Sequence, residues 1–175
     1  MAFADLAREH RIRPDEIRSV AVGRAIGTEG AFAVAVPRDH VAAQFSLPFA
    51  LAALAYDVPP LAWGGSVADP AVLALSARVA LRQDPRAVAE FAALTEPERR
   101  SPWSLRTHVE VVTDRGTYER WSDYKDMSDS EAAERTRTYG AGLLDPRGVD
   151  AMVDRALHLE EVVDVRDLTS TLARA

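Results

Sequence analysis

The chain has 175 residues, with 27 acidic against 21 basic side chains, a net charge of −6 and no cysteine. That length suits one domain, 1–175, able to bury roughly 70% of its unfolded surface without staples. The charge argues against a general nucleic-acid binder, which needs a basic face to displace counterions. The lack of cysteine excludes disulfides and thiolate chemistry, with a cytoplasmic setting the simplest reading.

Charge appears within the first five residues, so neither a secretory signal nor an anchor is expected. Residues 2–10 predict a short helix with Phe3, Leu6 and Ala7 on one face, and Pro14-Asp15 turns the chain. Residues 17–25, rich in β-branched side chains, read as extended. Residues 27–40 contain two glycines and a proline and read as a loop with a short extended piece at 32–36.

Next comes AQFSLPFALAALAYD, residues 43–57, almost unbroken in apolar side chains. A helix that is apolar all round belongs in a core, so residues 45–54 are placed at the centre of the fold. The segment is too short for a bilayer crossing, which needs ~20 residues, and it contains Pro48. Either Ser46 caps the helix with Pro48 in its first turn, or the helix starts near Val41 and bends at Pro48.

Pro59-Pro60 and Gly64-Gly65 end that helix, and Asp69-Pro70, a cap residue followed by proline, starts another over 69–79. Residues 87–94 read as helical. Residues 105–113 alternate as a strand with one buried face, Asp114-Arg115-Gly116 is a hairpin turn, and 117–124 returns as the partner strand. Ser128 with Glu131 makes a capping box for a helix over 129–139. Helices over 146–158 and 165–172 follow, with Leu143, Val149, Met152, Val153 and Leu157 as the stripe of the first. The fold class is α+β, a small antiparallel sheet covered by helices.

Residues 44–50, QFSLPFA, resemble the "QFSLPYA" helix in the small C-terminal domain of the MmgE/PrpD family, whose members include 2-methylcitrate dehydratase, cis-aconitate decarboxylase and iminodisuccinate epimerase. Weaker likenesses run in the same order along most of the chain. Arg8-Glu9-His10 with Pro14-Asp15-Glu16-Ile17 fits "LR.EHGL.P.DI..V", residues 69–79 fit "DP.V..LA.KV", and residues 126–131 resemble "PMSDEEL".

The resemblance implies dehydration, decarboxylation or epimerisation of small polycarboxylates, which needs a base, an acid and cationic donors for the carboxylates. In the family most of these groups come from a large helical N-terminal domain, expected here on a separate subunit. The small domain adds a histidine from a segment that would lie before Met1, and a tyrosine from the "FSLPY" helix. At the tyrosine position stands Phe49, which keeps the packing and lacks the hydroxyl.

Candidate ligand-binding residues are Arg38, Asp39, His40, Ser46, Phe49 and Lys125, with Arg82 a further cation for a carboxylate. Each has a plainer reading as a solvated charge or a core residue. His108 falls on the polar side of its strand, and His10 and His158 sit at helix ends. No two histidines have metal-ligand spacing, and no GxGxxG, P-loop or GxSxG motif is present, so no metal and no cofactor are expected. Three functions stay open: the small-domain subunit of a split lyase or isomerase, docked on a helical subunit; a detached domain acting as a stand-alone small-molecule binder or specialised-pathway enzyme, with a homo-oligomer possible; and a non-catalytic regulatory remnant.

Overall fold

A computed structural model describes residues 2–96, 106–122, 128–140 and 145–170. The chain divides into two compact units, Met1–Lys125 and Asp126–Ala175.

The first unit is built on a four-stranded sheet of order β2-β1-β3-β4: β1 Ile17–Arg24, β2 Val79–Gln83, β3 Thr107–Thr113 and β4 Gly116–Ser122. β3 and β4 form the hairpin read from the sequence, and β1 pairs antiparallel with β3. The sheet is nevertheless mixed, not antiparallel, because β1 and β2 run parallel with Val20 opposite Val79 and Arg24 opposite Gln83. Parallel neighbours need a long crossover, and residues 25–78 supply it.

That crossover holds a 3₁₀ turn at Gly30–Ala33, then α2 His40–Phe45, α3 Leu47–Ala55, a 3₁₀ turn at Pro60–Ala62, α4 Trp63–Ser66 and α5 Pro70–Ser76. Before β1 lies α1 Ala2–Glu9, and after β2 comes α6 Pro85–Ala93. The extended piece anticipated at 32–36 is replaced by the 3₁₀ turn, and Gly64 and Gly65 lie inside α4.

The two openings considered for the central helix are both realised in part. Asp39 caps α2, accepting from the Ala42 amide at 2.7 Å, and the chain breaks at Ser46, which caps α3 with Pro48 in its first turn. The break separates the fates of neighbouring side chains. Phe49, Ala52 and Ala53 are fully buried, whereas Phe45, expected at the centre, is about half exposed at 52%.

Strand alternation sends Val20, Val22, Val79, Val109 and Val111 to one face of the sheet, where they join Phe3 and Leu6 of α1, Phe49 of α3 and Val72 and Leu75 of α5 in one core. The opposite face carries Gly23, Arg82, His108, Glu110 and Trp121 by the same alternation.

The second unit contains α7 Asp129–Gly140, α8 Pro146–Leu157, a 3₁₀ turn at Leu159–Glu161 and α9 Val165–Thr169. The capping box is formed reciprocally: the Ser128 amide donates to Glu131 at 2.8 Å and the Glu131 amide to the Ser128 hydroxyl at 3.3 Å. Val149 and Val153 of the expected stripe bury against Ala133, while Leu157 is 43% exposed; Leu143 and Leu172 lie outside the described residues.

Candidate functional site

The residues singled out around the central helix separate into two groups. Arg38, Asp39 and His40 form the exposed corner where α2 begins. Asp39 is engaged as the cap, Arg38 lies 3.4 Å from its carboxylate, and the Gln44 side-chain amide lies 2.9 Å from His40 Nε2. Ser46 and Phe49 are turned inward. The Ser46 hydroxyl accepts from the Phe49 amide at 3.0 Å and donates to the Val34 carbonyl, and the Phe49 ring meets Trp63 edge-on at 5.9 Å. Phe49 offers no proton-transfer group and is a core residue. Lys125 lies outside the described residues.

A second buried hydroxyl repeats the device. Ser76, at the end of α5, donates to the Ala35 carbonyl at 2.6 Å. Successive carbonyls of the loop before α2 are therefore fastened to the cap of α3 and the end of α5, Pro37 is buried, and several of the loop's apolar side chains stay exposed. Phe32, Val34 and Val36 there, Val41 and Phe45 on α2, and Leu61 on the following 3₁₀ turn are all between 39% and 62% exposed. Several of these elements neighbour one another within the crossover. Scattered apolar side chains are ordinary on a surface; six of them on elements of one crossover are the feature on which an interaction reading rests.

On the far face of the sheet, His108 is buried although its strand position reads as polar, with the Trp121 ring stacked on it and Asp84, the cap of α6, beside it. Its Nδ1 lies 3.6 Å from Asp84, its Nε2 lies 3.3 Å from Glu119 without a hydrogen bond, and its ring stacks on Trp121 at 4.9 Å. Asp84 also caps α6 through the amides of Arg86 and Ala87. Gly23 makes room for it, since a Cβ there would sit 2.9 Å from Asp84 Cβ. Arg86 and Arg106 lie over Trp121 and both pair with Glu90. With three carboxylates among these cations, the cluster ties α6 to the sheet and has, among the described residues, no surplus positive charge for an anionic ligand.

Among the described residues no group of three or more His, Asp or Glu is arranged to hold a metal ion, and no helix is long and apolar enough to cross a membrane. Of the cations read as carboxylate ligands, Arg82 pairs with Glu110 at 3.5 Å and Arg38 is occupied by Asp39. Arg24, the last residue of β1, is not marked out by any motif in the sequence. It is half-buried, gives one hydrogen bond to the Gly27 carbonyl at 3.3 Å, and is held below the ordinary arginine pKa by desolvation. Nothing in its local pattern separates it from the other arginines; what does is partial burial without a carboxylate partner among the described residues. No protein-family model matches this sequence, and no curated protein is similar to it.

Proposed function

We propose that the chain is the small-domain subunit of a split MmgE/PrpD-like lyase or isomerase acting on small carboxylates, with most catalytic groups on a separately encoded helical subunit. The observation that carries this reading is the apolar surface of the crossover: Phe32, Val36, Val41, Phe45 and Leu61 remain exposed around the QFSLPFA segment. A surface of this kind is stabilised by removal from water, at roughly 25 cal/mol per Å² buried. The two serine hydroxyls beneath it hold the loop in place, so little ordering is needed when a partner arrives.

The full burial of Phe49 favours a second reading, a detached domain repurposed as a stand-alone small-molecule binder or enzyme. The acid that the resemblance expects at this position is replaced by a core side chain, so ancestral chemistry at that point is not needed.

The test is the mass of the complex that accompanies the native chain when it is purified from its own cells. A helical subunit of about twice this size at equal stoichiometry, the proportion expected from the resemblance, supports the split enzyme. A lone monomer or homodimer supports the repurposed domain. The chain by itself is expected to leave 2-methylcitrate and cis-aconitate unchanged, and turnover by it alone refutes the division of catalytic groups.

A further inference from the structure

Most arginines in the first unit meet a carboxylate. Arg13 and Arg115 pair with Glu16, Arg18 with Asp114, Arg82 with Glu110, Arg86 and Arg106 with Glu90, and Arg120 with Glu9. Most of these guanidiniums are exposed, where they do not need a partner. Arg24 is the reverse case.

Its side chain leaves β1 on the same face as Val20 and Val22, at the edge of the core, and packs against Gly27, whose positive φ of 69° folds the chain back over it. Desolvation is the cause of its lowered pKa, and among the described residues no charged neighbour counters that effect. One N–H is used, on a backbone carbonyl at 3.3 Å. The nearest carboxylate in the strand register belongs to Asp84, beside Arg24's partner Gln83, but it is turned to the opposite face toward His108 and the α6 amides.

A guanidinium presents five donors in a planar fork that matches a carboxylate, and taking it partly out of water without a counter-ion is unfavourable. Arg24 also ends a strand with a parallel neighbour, and the space beyond the carboxyl ends of parallel strands is where open α/β sheets receive ligands.

We propose that Arg24 receives a carboxylate, from a small polycarboxylate or from an acidic side chain of the partner subunit, through the unused N–H groups of its guanidinium. The second source rests on the split-enzyme reading; the first does not. The neighbouring Ile26 is itself exposed, so an incoming carboxylate is flanked by apolar surface, where a charge-assisted hydrogen bond is stronger than in open water.

The experiment has two arms and a stability control. In the first, the backbone ¹H–¹⁵N signals of residues 24–28 in the whole chain are followed during titration with citrate, against sodium chloride at matched ionic strength. A small polycarboxylate as ligand gives a saturable shift, absent in Arg24→Gln, weakened about tenfold in Arg24→Lys by loss of a charge-assisted hydrogen bond, and unchanged in Arg8→Gln, an exposed arginine of α1. In the second arm, Arg24→Gln is introduced into the native complex. A partner carboxylate gives no citrate shift but at least about tenfold weaker association, partly restored by Arg24→Lys. The control is the Tm of the isolated chain. Removing an uncompensated charge raises it by about 2–4 °C, whereas a purely structural arginine lowers it. Absence of the citrate shift together with unchanged association, or a lowered Tm without a citrate shift, overturns the proposal. If no helical subunit accompanies the chain, the citrate arm decides alone, so the two proposals can fail separately.

Discussion

Ser46→Ala tests how the crossover is held. The serine is 1% exposed, and its hydroxyl works twice, accepting from the Phe49 amide at 3.0 Å and donating to the Val34 carbonyl. Alanine removes both bonds. Loss of an N-cap costs about 1 kcal/mol, within a range of about 0.5–2, and loss of the buried bond to a carbonyl costs about 1 more. We therefore expect about 2 kcal/mol of destabilisation. The assay is urea denaturation followed by tryptophan emission, which reports the first unit because Trp63, Trp103 and Trp121 all belong to it. The midpoint should fall with the slope unchanged. Ser76→Ala, which removes a buried hydrogen bond without a cap, should cost about 1 kcal/mol. The double variant should cost less than the sum, because the two hydroxyls hold adjacent carbonyls and the loop is partly released once either is gone. A Ser46→Ala chain within about 0.5 kcal/mol of the parent, the range of ordinary surface substitutions, would refute the reasoning.

Phe49→Ala, at a position with 0% exposure, is expected to cost about 3–5 kcal/mol; an unchanged denaturation midpoint would remove Phe49 from the core. Gly23→Ala drives a methyl group to 2.9 Å from Asp84 Cβ, whose backbone is itself tied to the Arg24 carbonyl, so about 1–3 kcal/mol of overpacking is expected; equal thermal stability would show that Asp84 moves freely. His158 has a raised pKa, chiefly because its ring Nδ1 donates to the Asp154 carbonyl at 2.9 Å, helped by the charges of Asp154, Glu161 and Glu160. Its contribution to stability is complete below the pKa of a free histidine and is lost as pH rises through the raised folded value. An NMR titration midpoint at or below that of free histidine would contradict this.

Local signals are legible in the sequence wherever the physics is local. Asp69-Pro70 starts α5 because the aspartate accepts from the amides of Ala71 and Val72 and the proline needs no partner, and the same device recurs at Asp84-Pro85 and Asp145-Pro146. The hairpin and the Ser128/Glu131 box are equally short-range. What fails is whatever depends on distant chain. Nothing within Val79–Gln83 says that it will lie parallel to β1, since that pairing is decided by the helices between them. His108 alternates as a polar residue and is buried beside Asp84 and under Trp121, both distant from it in local pattern. Phe45 belongs to the apolar run, but the turn at Ser46 reorients α2 and leaves the ring exposed. Of the candidate site, Phe49 is readable as core from its position in an all-apolar helix, whereas Arg24 stands out by partial burial without a carboxylate partner among the described residues, which no pattern in its own strand encodes.

The placement of β1 inside the sheet has a consequence for the chain as it leaves the ribosome. The strand is made early, yet its antiparallel partner arrives late: Arg18 and Asp114, joined as an ion pair, are 96 residues apart. At about 5–20 residues per second that separation takes on the order of 5–20 s to synthesise. Throughout that interval Val20 and Val22 lack β3, and the apolar residues 43–57 emerge before the sheet that will cover them exists. The nascent first unit therefore presents unpaired strand edges and bare apolar surface to the cell, and co-translational chaperone contact should concentrate on residues 43–57 and cease once Thr113 has cleared the exit tunnel.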